Sequence, residues 1–443
     1  MTQLELGRRE RLRRAARTGS AIARIYLGYK GLDLLDRGPL RPVVGAVRRS
    51  WDRLSANALN QAAIELGGVL LKAGQFLSTR ADVLPAAYVD KLARLQDRAR
   101  PQPYTDVRRV LCEELGAPPE ELFARVWRRP MASASLAQVH RATLHDGREV
   151  AVKVQRPDVR AALAADLQTL RVAVRAIEGL EGSLGFALLL DQLEASLARE
   201  LDFALEAASA GRMAANFGGS PAVRIPEVVP EFTRARVLVT EYLPGIRITD
   251  RVRLRRAGVE PARVVEALLG AYAAQVFRHG LFHADPHPGN LLVLPGDGGE
   301  FALCFVDFGI VQEVPAGFRE GALGLARGVL ARDGAGVAAA LRGLGLATRD
   351  PEARTIEEMA AKLVERLVLR DERGGDPAAA LQGLGAELSA LLRADPLTTV
   401  PAHLFLLGRV LGLLAGVSTQ LGARANLAKA LLPELFSPGP AAG

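Results

Sequence analysis

The chain contains 443 residues, and 49% of them are hydrophobic, so it is long and apolar enough to bury a sizeable core. Its two cysteines, Cys112 and Cys304, cannot build a disulfide framework and are typical of a reducing compartment. The sequence shows no secretion-signal pattern at its start and no apolar run near the ~20 residues that a spanning helix needs. We therefore expect a cytoplasmic protein, and neither a disulfide-rich secreted protein nor an integral membrane protein.

The net charge of +8 lies in the first 50 residues, which hold twelve Lys or Arg against four acidic residues. The rest of the chain is balanced, so the basic character belongs to an N-terminal arm. Apolar side chains recur in this arm at helical spacing and form a stripe: Ile22, Ile25, Tyr26, Tyr29, Leu32 and Leu35.

A basic amphipathic helix can lie on an anionic membrane, where each cation contributes about 1 kcal/mol. We therefore predict that residues 1–50 attach the protein peripherally to the inner face of a membrane. The alternative is that the stripe packs on the protein's own core while the arginines face solvent. No nucleic-acid partner is expected, because no recognition motif accompanies the charge.

Residues 51–104 are predicted to form a helical extension that carries Lys72-Ala73-Gly74-Gln75. A first lobe is predicted over residues 105–245. It begins with a helix at 104–114 and strands around 135–155, continues with helices over 161–194, and ends with a strand at 236–241.

The segment Val150-Ala151-Val152-Lys153-Val154 is an apolar strand with a single lysine. In kinases, a lysine on such a strand contacts the α- and β-phosphates of ATP. The alternative is a lysine that faces solvent at the edge of a sheet. Upstream, where kinases carry a Gly-rich loop, this chain has Ala132, Ser133, Ala134 and Ser135. Small side chains permit close approach to phosphates, although alanine excludes the positive-φ conformations of glycine, so we predict an altered nucleotide flap.

Two motifs in the second half carry the strongest signal. The first is His283-Ala284-Asp285-Pro286-His287-Pro288-Gly289-Asn290, in which Asp285 and Asn290 repeat the spacing of the kinase catalytic loop. The second is Asp307-Phe308-Gly309, the position of the usual kinase metal ligand. Predicted strands at 291–294 and 303–306, with a turn at 295–299, would bring Asn290 and Asp307 together.

These residue types suit phosphoryl transfer. Mg²⁺ binds oxygen ligands beside phosphate oxygens, and a nearby carboxylate orients the attacking hydroxyl or water. We therefore predict a site for ATP or ADP with Mg²⁺, in which Asn290 and Asp307 bind the metal and Asp285 and Lys153 are catalytic. Zinc at His283 and His287 is disfavoured, because the intervening prolines prevent a regular helix and no third ligand is nearby.

The rest of the chain, residues 246–436, is predicted to be a mostly helical second lobe. No Ala-Pro-Glu and no long polar segment follow Gly309, and a helical run is predicted at 316–331, so a platform for peptide substrates is not expected. A polar break is predicted at 370–377 and a frayed tail at 437–443. The apolar run 404–417 contains Arg409 and is predicted to be a core helix.

From about residue 55 to about residue 430, the chain resembles the AarF/UbiB family of atypical kinase-like proteins. Lys72-Ala73-Gly74-Gln75 is similar to the family's N-terminal Lys-x-Gly-Gln signature, and residues 132–135 are similar to its Ala-rich loop. Glu200-Leu201-Asp202 resembles its Glu-x-Asp motif, and residues 283–290 match its form of the catalytic loop. The resemblance implies an α+β fold of the bilobal protein-kinase type.

The family also implies roles for individual residues. Its Lys-x-Gly-Gln segment covers the active site, with Lys72, Gln75, Glu200 and Asp202 as the corresponding regulatory residues here. Lys72 would pair with Glu200, and Lys153 with Glu206. Spacing alone leaves Glu178 as an alternative partner for Lys153. Two residues at the position of a kinase hinge complete the expected nucleotide-binding set: Glu241 and Leu243.

Three classes of function follow. The first is an ATP-dependent phosphotransferase or ATPase in isoprenoid-quinone metabolism, such as ubiquinone biosynthesis, or in other lipid metabolism, with a lipid or isoprenoid acceptor. The second is a small-molecule kinase of the aminoglycoside- or choline-kinase type, against which the Lys72 motif argues. The third is a nucleotide-binding scaffold. The presence of the four main site residues argues against it: Lys153, Asp285, Asn290 and Asp307.

Overall fold

The computed structural model describes residues 8–37, 41–66, 70–74, 85–92, 95, 101–181, 186–350, 354–371, 391, 395, 397–399, 401–423, 430, 433 and 434. Contacts divide the chain into two compact units. The first comprises Met1–Ala207 and Val228–Tyr242, and the second comprises Ala208–Glu227 and Leu243–Gly443. The predicted tail, most of the predicted polar break and Gln75 lie outside the described residues.

The elements up to Tyr242 are, in chain order, α1 (Arg8–Asp36), α2 (Arg41–Leu66), α3 (Ala86–Leu92), α4 (Tyr104–Leu115), α5 (Pro119–Leu122), β1 (Arg125–Val126), β2 (Ala132–Ser133), β3 (Ala137–Thr143), β4 (Glu149–Gln155), α6 (Val159–Glu181), α7 (Phe186–Glu200), α8 (Phe203–Asn216), β5 (Val223–Arg224) and β6 (Val237–Glu241). Residues 70–74 are also helical. The helix predicted at 104–114 and the strands predicted at 150–154 and 236–241 are present.

The sheet of the first unit is antiparallel, with strand order β1-β3-β4-β6 and β2 paired to β3. Successive side chains of a strand point to opposite faces. In β4, Val150, Val152 and Val154 are therefore buried together, in a cluster that also contains residues of α4. Lys153 lies on the other face of the sheet, away from this core.

The N-terminal arm is part of the first unit. Tyr26 and Lys30 of α1 both bind the Glu181 carboxylate of α6, and Arg14 pairs with the buried Asp166. Leu32 is buried as well. Most of the apolar stripe thus packs within the unit, as the alternative proposed, while Leu35 at its end is exposed.

The remaining elements are β7 (Ile246–Arg247), α9 (Arg251–Arg256), α10 (Pro261–Ala273), a π-helical turn (Ala274–Arg278), β8 (Leu281–His283), β9 (Leu291–Pro295), β10 (Phe301–Phe305), β11 (Val311–Glu313), α11 (Phe318–Leu330), α12 (Gly334–Gly343), β12 (Ala347–Thr348), α13 (Thr355–Asp371), β13 (Leu397–Thr399) and α14 (Ala402–Leu421). The predicted run 404–417 lies in α14, where Val410, Leu414 and Val417 are buried, as a core helix requires. Over the described residues, no helix is both long and apolar enough to cross a membrane.

The hairpin predicted between the two motifs is formed by β9 and β10, with Leu291 opposite Phe305 and Pro295 opposite Phe301. Its turn contains Gly298 and Gly299, both with positive φ (65° and 80°), a conformation that glycine adopts without strain. β5 and β7 flank the hairpin and complete a four-stranded sheet.

One segment lies elsewhere than the sequence indicated. The sequence predicts that residues 208–227 are part of the first lobe, 105–245, whereas contacts place them in the second unit. β5 pairs in parallel with β10, and Arg212 forms a 2.6 Å ion pair with Glu313. A two-residue strand has no periodicity of its own, so only its partner strand identifies it.

His140 of β3 is buried, and its hydrogen bonds fix the neutral imidazole. Its Nδ1 donates to the Trp127 carbonyl at 2.9 Å, and its Nε2 lies 3.1 Å from the side-chain nitrogen of Gln138. The Gln138 amide oxygen accepts the Gln102 N–H at 2.9 Å, so the amide nitrogen is left to donate to His140. Burial lowers the pKa of His140 below its usual value.

We expect this histidine to make stability depend on pH. Because its folded-state pKa is lowered, its contribution is complete above the ordinary imidazole pKa of about 6.5 and is lost as the pH falls below it. Urea midpoints measured from about pH 7.5 to about pH 5.5 should therefore decrease. The His140→Asn variant, although less stable at neutral pH, should have a shallower decrease. Parallel curves for the two proteins would contradict the assignment.

Candidate nucleotide and phosphoryl-transfer site

Lys153 and Glu206 form a two-pronged ion pair in the first unit. The Lys153 Nζ donates to both Glu206 carboxylate oxygens, at 2.7 and 2.9 Å. Glu206 lies in the first turn of α8, where the helix dipole favours negative charge, and its side chain is only 4% exposed. The Lys153 ammonium also lies 5.1 Å from the centroid of the Phe203 ring. The pair implied by the family resemblance is present, whereas Glu178 accepts the Ala187 N–H at 3.3 Å.

Lys153 and Glu206 are 53 residues apart in the chain. The turn at Leu201, which connects α7 to α8, is held beside β4 by several hydrogen bonds. The Gln155 side-chain amide donates to the Leu201 carbonyl at 2.6 Å, and Arg160 donates to the same carbonyl at 2.8 Å. The Phe203 N–H donates to the Ala235 carbonyl at 3.1 Å. These bonds fix the start of α8 beside β4, which places Glu206 within reach of Lys153.

Lys72 and Glu200 form a second ion pair, with 2.6 Å between Nζ and the carboxylate. Their side chains are 17% and 15% exposed, so both charges are largely removed from water. The neighbouring Asp202 has a local role, because its Oδ1 accepts the Ala204 N–H at 3.0 Å at the start of α8. Gln75, the remaining residue of the predicted regulatory set, is outside the described residues.

The predicted nucleotide flap is a tight hairpin connection. Ala132 and Ser133 form β2, and the Ala134 N–H donates to the Ala137 carbonyl at 2.8 Å. Arg156 makes two hydrogen bonds to this loop. Its Nε donates to the Ala134 carbonyl at 3.1 Å, and its backbone N–H donates to the Leu136 carbonyl at 2.9 Å. Sequence analysis missed Arg156, although it follows the Lys153 strand directly. Its position at a strand end was the only available signal.

The two predicted hinge residues fall on either side of the division between the units. Glu241 ends β6, where it pairs in register with Val150 of β4. Leu243 is the first residue of the second unit after this strand. Their proposed contact with a nucleotide remains a prediction.

In the second unit, Asp285 and Asn290 are held together within one loop. The Asn290 side-chain nitrogen lies 3.2 Å from the Asp285 carbonyl oxygen and 3.3 Å from its Oδ2. The amide nitrogen is thereby committed to Asp285, so the amide oxygen points elsewhere. An oxygen atom in that orientation is the ligand that Asn290 would offer to Mg²⁺.

His283 connects this loop to the Asp-Phe-Gly segment. Its Nε2 donates to the Asp307 carbonyl, and its Nδ1 lies 3.4 Å from the Tyr272 hydroxyl. Its backbone N–H donates to the side-chain oxygen of Gln275 at 2.8 Å, and Gln275 lies in the π-helical turn that precedes β8. Burial lowers the pKa of His283 and raises that of the Tyr272 hydroxyl, which keeps both side chains neutral. His283 therefore orients the backbone at Asp307, the structural role predicted for it.

The β9–β10 hairpin separates Asn290, just before β9, from Asp307, two residues after β10. The Val306 N–H donates to the Asn290 carbonyl at 3.1 Å, and the Asp307 Oδ1 accepts the Gly309 N–H at 3.1 Å. In the part of the chain that the structure describes, no group of three or more His, Cys, Asp and Glu side chains could hold a metal. One carboxylate and one amide oxygen nevertheless fit Mg²⁺, which takes few protein ligands and completes its shell with phosphates and waters.

A residue of α14 also reaches this loop. The Arg409 Nη2 lies 2.6 Å from the Asp285 Oδ1, although the two residues are 124 positions apart. The sequence marks Arg409 only as an interruption of an apolar run. The available signal for its contact is chemical, because a charge within a core helix requires a partner.

The geometry of both units is that of a protein-kinase-like protein, and comparison with known proteins agrees. Residues 94–341 match the family model described as the ABC1 atypical kinase-like domain. The chain is 33% identical over 379 residues to AarF domain-containing protein kinase 1 of Xenopus tropicalis, covering 84% of this chain and 71% of that protein. The chain therefore belongs to the AarF/UbiB family of atypical kinases, and the resemblance seen in its motifs is confirmed.

Two further relatives give the extent of the similarity. Over 286 residues, 63% of this chain, the sequence is 37% identical to Activity of BC1 Complex Kinase 8 of Arabidopsis thaliana, a chloroplastic protein; the match spans only 37% of that relative's length. Among solved structures, Rv3197 of Mycobacterium tuberculosis, in complex with erythromycin, superposes with a TM-score of 0.61 at 29% identity. That match covers 89% of this chain and all of the other.

We expect the Lys72–Glu200 pair to hold the N-terminal extension in place. The Lys72→Met variant leaves Glu200 without its partner and should lower the free energy of unfolding by about 1–3 kcal/mol. It should also change nucleotide affinity or hydrolysis, or permit autophosphorylation, if the extension restrains the site.

The charge swap Lys72→Glu with Glu200→Lys is the matched control, because it restores attraction with the same two side-chain types. It should recover most of the lost stability and reverse the change in nucleotide handling. A Lys72→Met protein equal to wild type in stability, nucleotide affinity, hydrolysis and autophosphorylation would count against this role.

Proposed function

We propose that the protein is a Mg²⁺-dependent ATPase or phosphotransferase that acts on a small or lipid acceptor, in isoprenoid-quinone or other lipid metabolism. The observation that carries this proposal is the Lys153–Glu206 ion pair, because kinases require such a pair to be in place for phosphoryl transfer. Asp285, Asn290 and Asp307 add the residue types of a kinase catalytic loop and metal site.

Each residue has a distinct role in this proposal. Lys153 compensates phosphate charge, and Asn290 and Asp307 hold Mg²⁺, which neutralises phosphate oxygens when bound. Asp285 orients the attacking hydroxyl or water. Two segments bind the rest of the nucleotide: residues 132–135 beside the phosphates, and Glu241 with Leu243 at the adenine.

Three observations favour a small acceptor over a protein. The sequence lacks Ala-Pro-Glu after Gly309, and α11 begins soon after at Phe318. The Lys72–Glu200 pair supports an extension that covers the site. Such an extension also argues against a kinase of the aminoglycoside- or choline-kinase type. A related protein has been solved in complex with erythromycin, a small molecule.

We expect two substitutions of the same chemistry to have different effects. Asp307→Asn replaces a charged metal ligand with a neutral one and should abolish the Mg²⁺-dependent thermal stabilisation by ATP or ADP. Asp285→Asn removes the group that orients the nucleophile and should lower the rate of ATP hydrolysis about 100-fold, with nucleotide affinity within a few-fold of wild type.

Thermal shifts with and without Mg²⁺ and a phosphate-release assay measure the two effects. The matched control is Asp333→Asn, which changes a carboxylate that caps α12 in the second unit. An unchanged Mg²⁺-dependent shift in Asp307→Asn would refute the metal assignment. A scaffold without turnover would bind nucleotide with Mg²⁺ but release no phosphate in any variant.

We further propose that α1 and α2 bind an anionic membrane through their outer faces. Leu27 and Leu34, one heptad apart on α1, are 65% and 67% exposed, and Val43 and Val47 of α2 are exposed as well. Exposed arginines accompany these side chains: Arg24, Arg37 and Arg49. Exposed apolar side chains among cations are the composition that binds anionic lipid surfaces.

The expected result is that wild type co-sediments with anionic liposomes and that binding weakens as salt increases, because salt screens exposed charges. Reversal of three charges, Arg24→Glu with Arg37→Glu and Arg49→Glu, should abolish binding and leave nucleotide affinity intact. A matched control reverses three exposed arginines of α9: Arg253, Arg255 and Arg256. Loss of binding only in that control would place the membrane surface on the second unit.

A further inference from the structure

Arg409 is the single Lys, Arg, Asp or Glu of α14, a mostly apolar helix. α14 buries the neighbouring Val410 and Leu414, and the Arg409 side chain is 30% exposed. A guanidinium in such a position needs a hydrogen-bonded partner to offset its lost hydration. That partner is the Asp285 carboxylate, which is 28% exposed.

Asp285 is held at both of its carboxylate oxygens. Arg409 binds Oδ1 at 2.6 Å, and the Asn290 amide nitrogen lies 3.3 Å from Oδ2. The two contacts come from different elements and fix the rotation of the carboxylate. A carboxylate offers about four lone-pair sites, so an oxygen held in this way can still accept a hydrogen bond from a nucleophile.

The catalytic loop itself provides no cation that could do this. Residues 283–290 contain neither Lys nor Arg. His287 lies two positions after Asp285, but its Nδ1 accepts the Gly289 N–H at 3.1 Å within the loop. The positive charge beside Asp285 therefore comes from α14.

We propose that Arg409 is the positioning residue for Asp285 in phosphoryl transfer, an inference that rests on the proposed function. Phosphoryl transfer depends mainly on positioning and electrostatics, and little on early removal of a proton. A carboxylate paired with arginine is held in a fixed orientation. Orientation is the contribution that this reaction needs from Asp285, so loss of Arg409 slows turnover and leaves nucleotide binding unchanged.

A double-mutant cycle tests this role. Arg409→Gln should lower kcat for ATP hydrolysis at least about tenfold, with nucleotide Kd within about twofold of wild type, and Arg409→Lys should restore part of the rate. On the Asp285→Asn background, Arg409→Gln should cause no further loss, because both changes remove the same interaction. The matched control is Arg342→Gln, which breaks the Arg342–Glu357 pair of α12 and α13 and should leave kcat unchanged.

Other outcomes overturn the proposal. Equal losses from Arg409→Gln on the wild-type and Asp285→Asn backgrounds would mean that Arg409 acts independently of Asp285. A higher kcat in Arg409→Gln would mean that the arginine blocks the carboxylate. If wild type binds Mg²⁺ and nucleotide but releases no phosphate, the proposed function fails. Urea unfolding then tests the contact through the free energy of unfolding. If the loss in the double variant is smaller than the sum of the losses in Arg409→Gln and Asp285→Asn, the contact is supported, and if it equals the sum, the contact is refuted.

Discussion

The ion pair between Lys153 and Glu206 is the interaction on which the candidate site residues of the first unit depend. Glu206 is almost fully buried, and a buried carboxylate without a partner would cost several kcal/mol. The alternation of β4 directs its valines into the core and Lys153 to the opposite face. The turn at Leu201, held by Gln155 and Arg160, then brings the first turn of α8 to that face. Each of these features is needed for the pair to form.

The second unit holds its acidic groups by a different principle. His283 orients the backbone at Asp307 and also contacts the Tyr272 hydroxyl, and burial keeps both side chains neutral. A charged side chain, Arg409, orients the Asp285 carboxylate. In our proposal Asp307 binds Mg²⁺, and neutral groups suit a position beside it because a second cation there would repel the metal. A cation suits Asp285, where a fixed orientation matters more than basicity.

Helix α1 packs on one face and presents the other to the membrane contact that we propose. On its inner face, Lys30 pairs with Glu181 and Arg14 with Asp166 of α6, and the Tyr26 hydroxyl donates to Glu181. On its outer face, leucines and arginines remain exposed. The basic charge of the arm is thus divided between the fold and the surface. For that reason, charge reversal on the outer face is a cleaner probe than removal of the whole arm.

The sequence by itself determined the local features: the Lys153 strand, the hairpin between Asn290 and Asp307, the helices on either side, and the family. These depend on short-range periodicity and on motifs that are contiguous in the chain. The tertiary structure alone decided that residues 208–227 join the second unit, that most of the α1 stripe faces inward, and that Arg409 binds Asp285. Each of these depends on a contact between segments far apart in sequence. Spacing contains no information about such contacts, because chain folding alone sets which distant side chains meet.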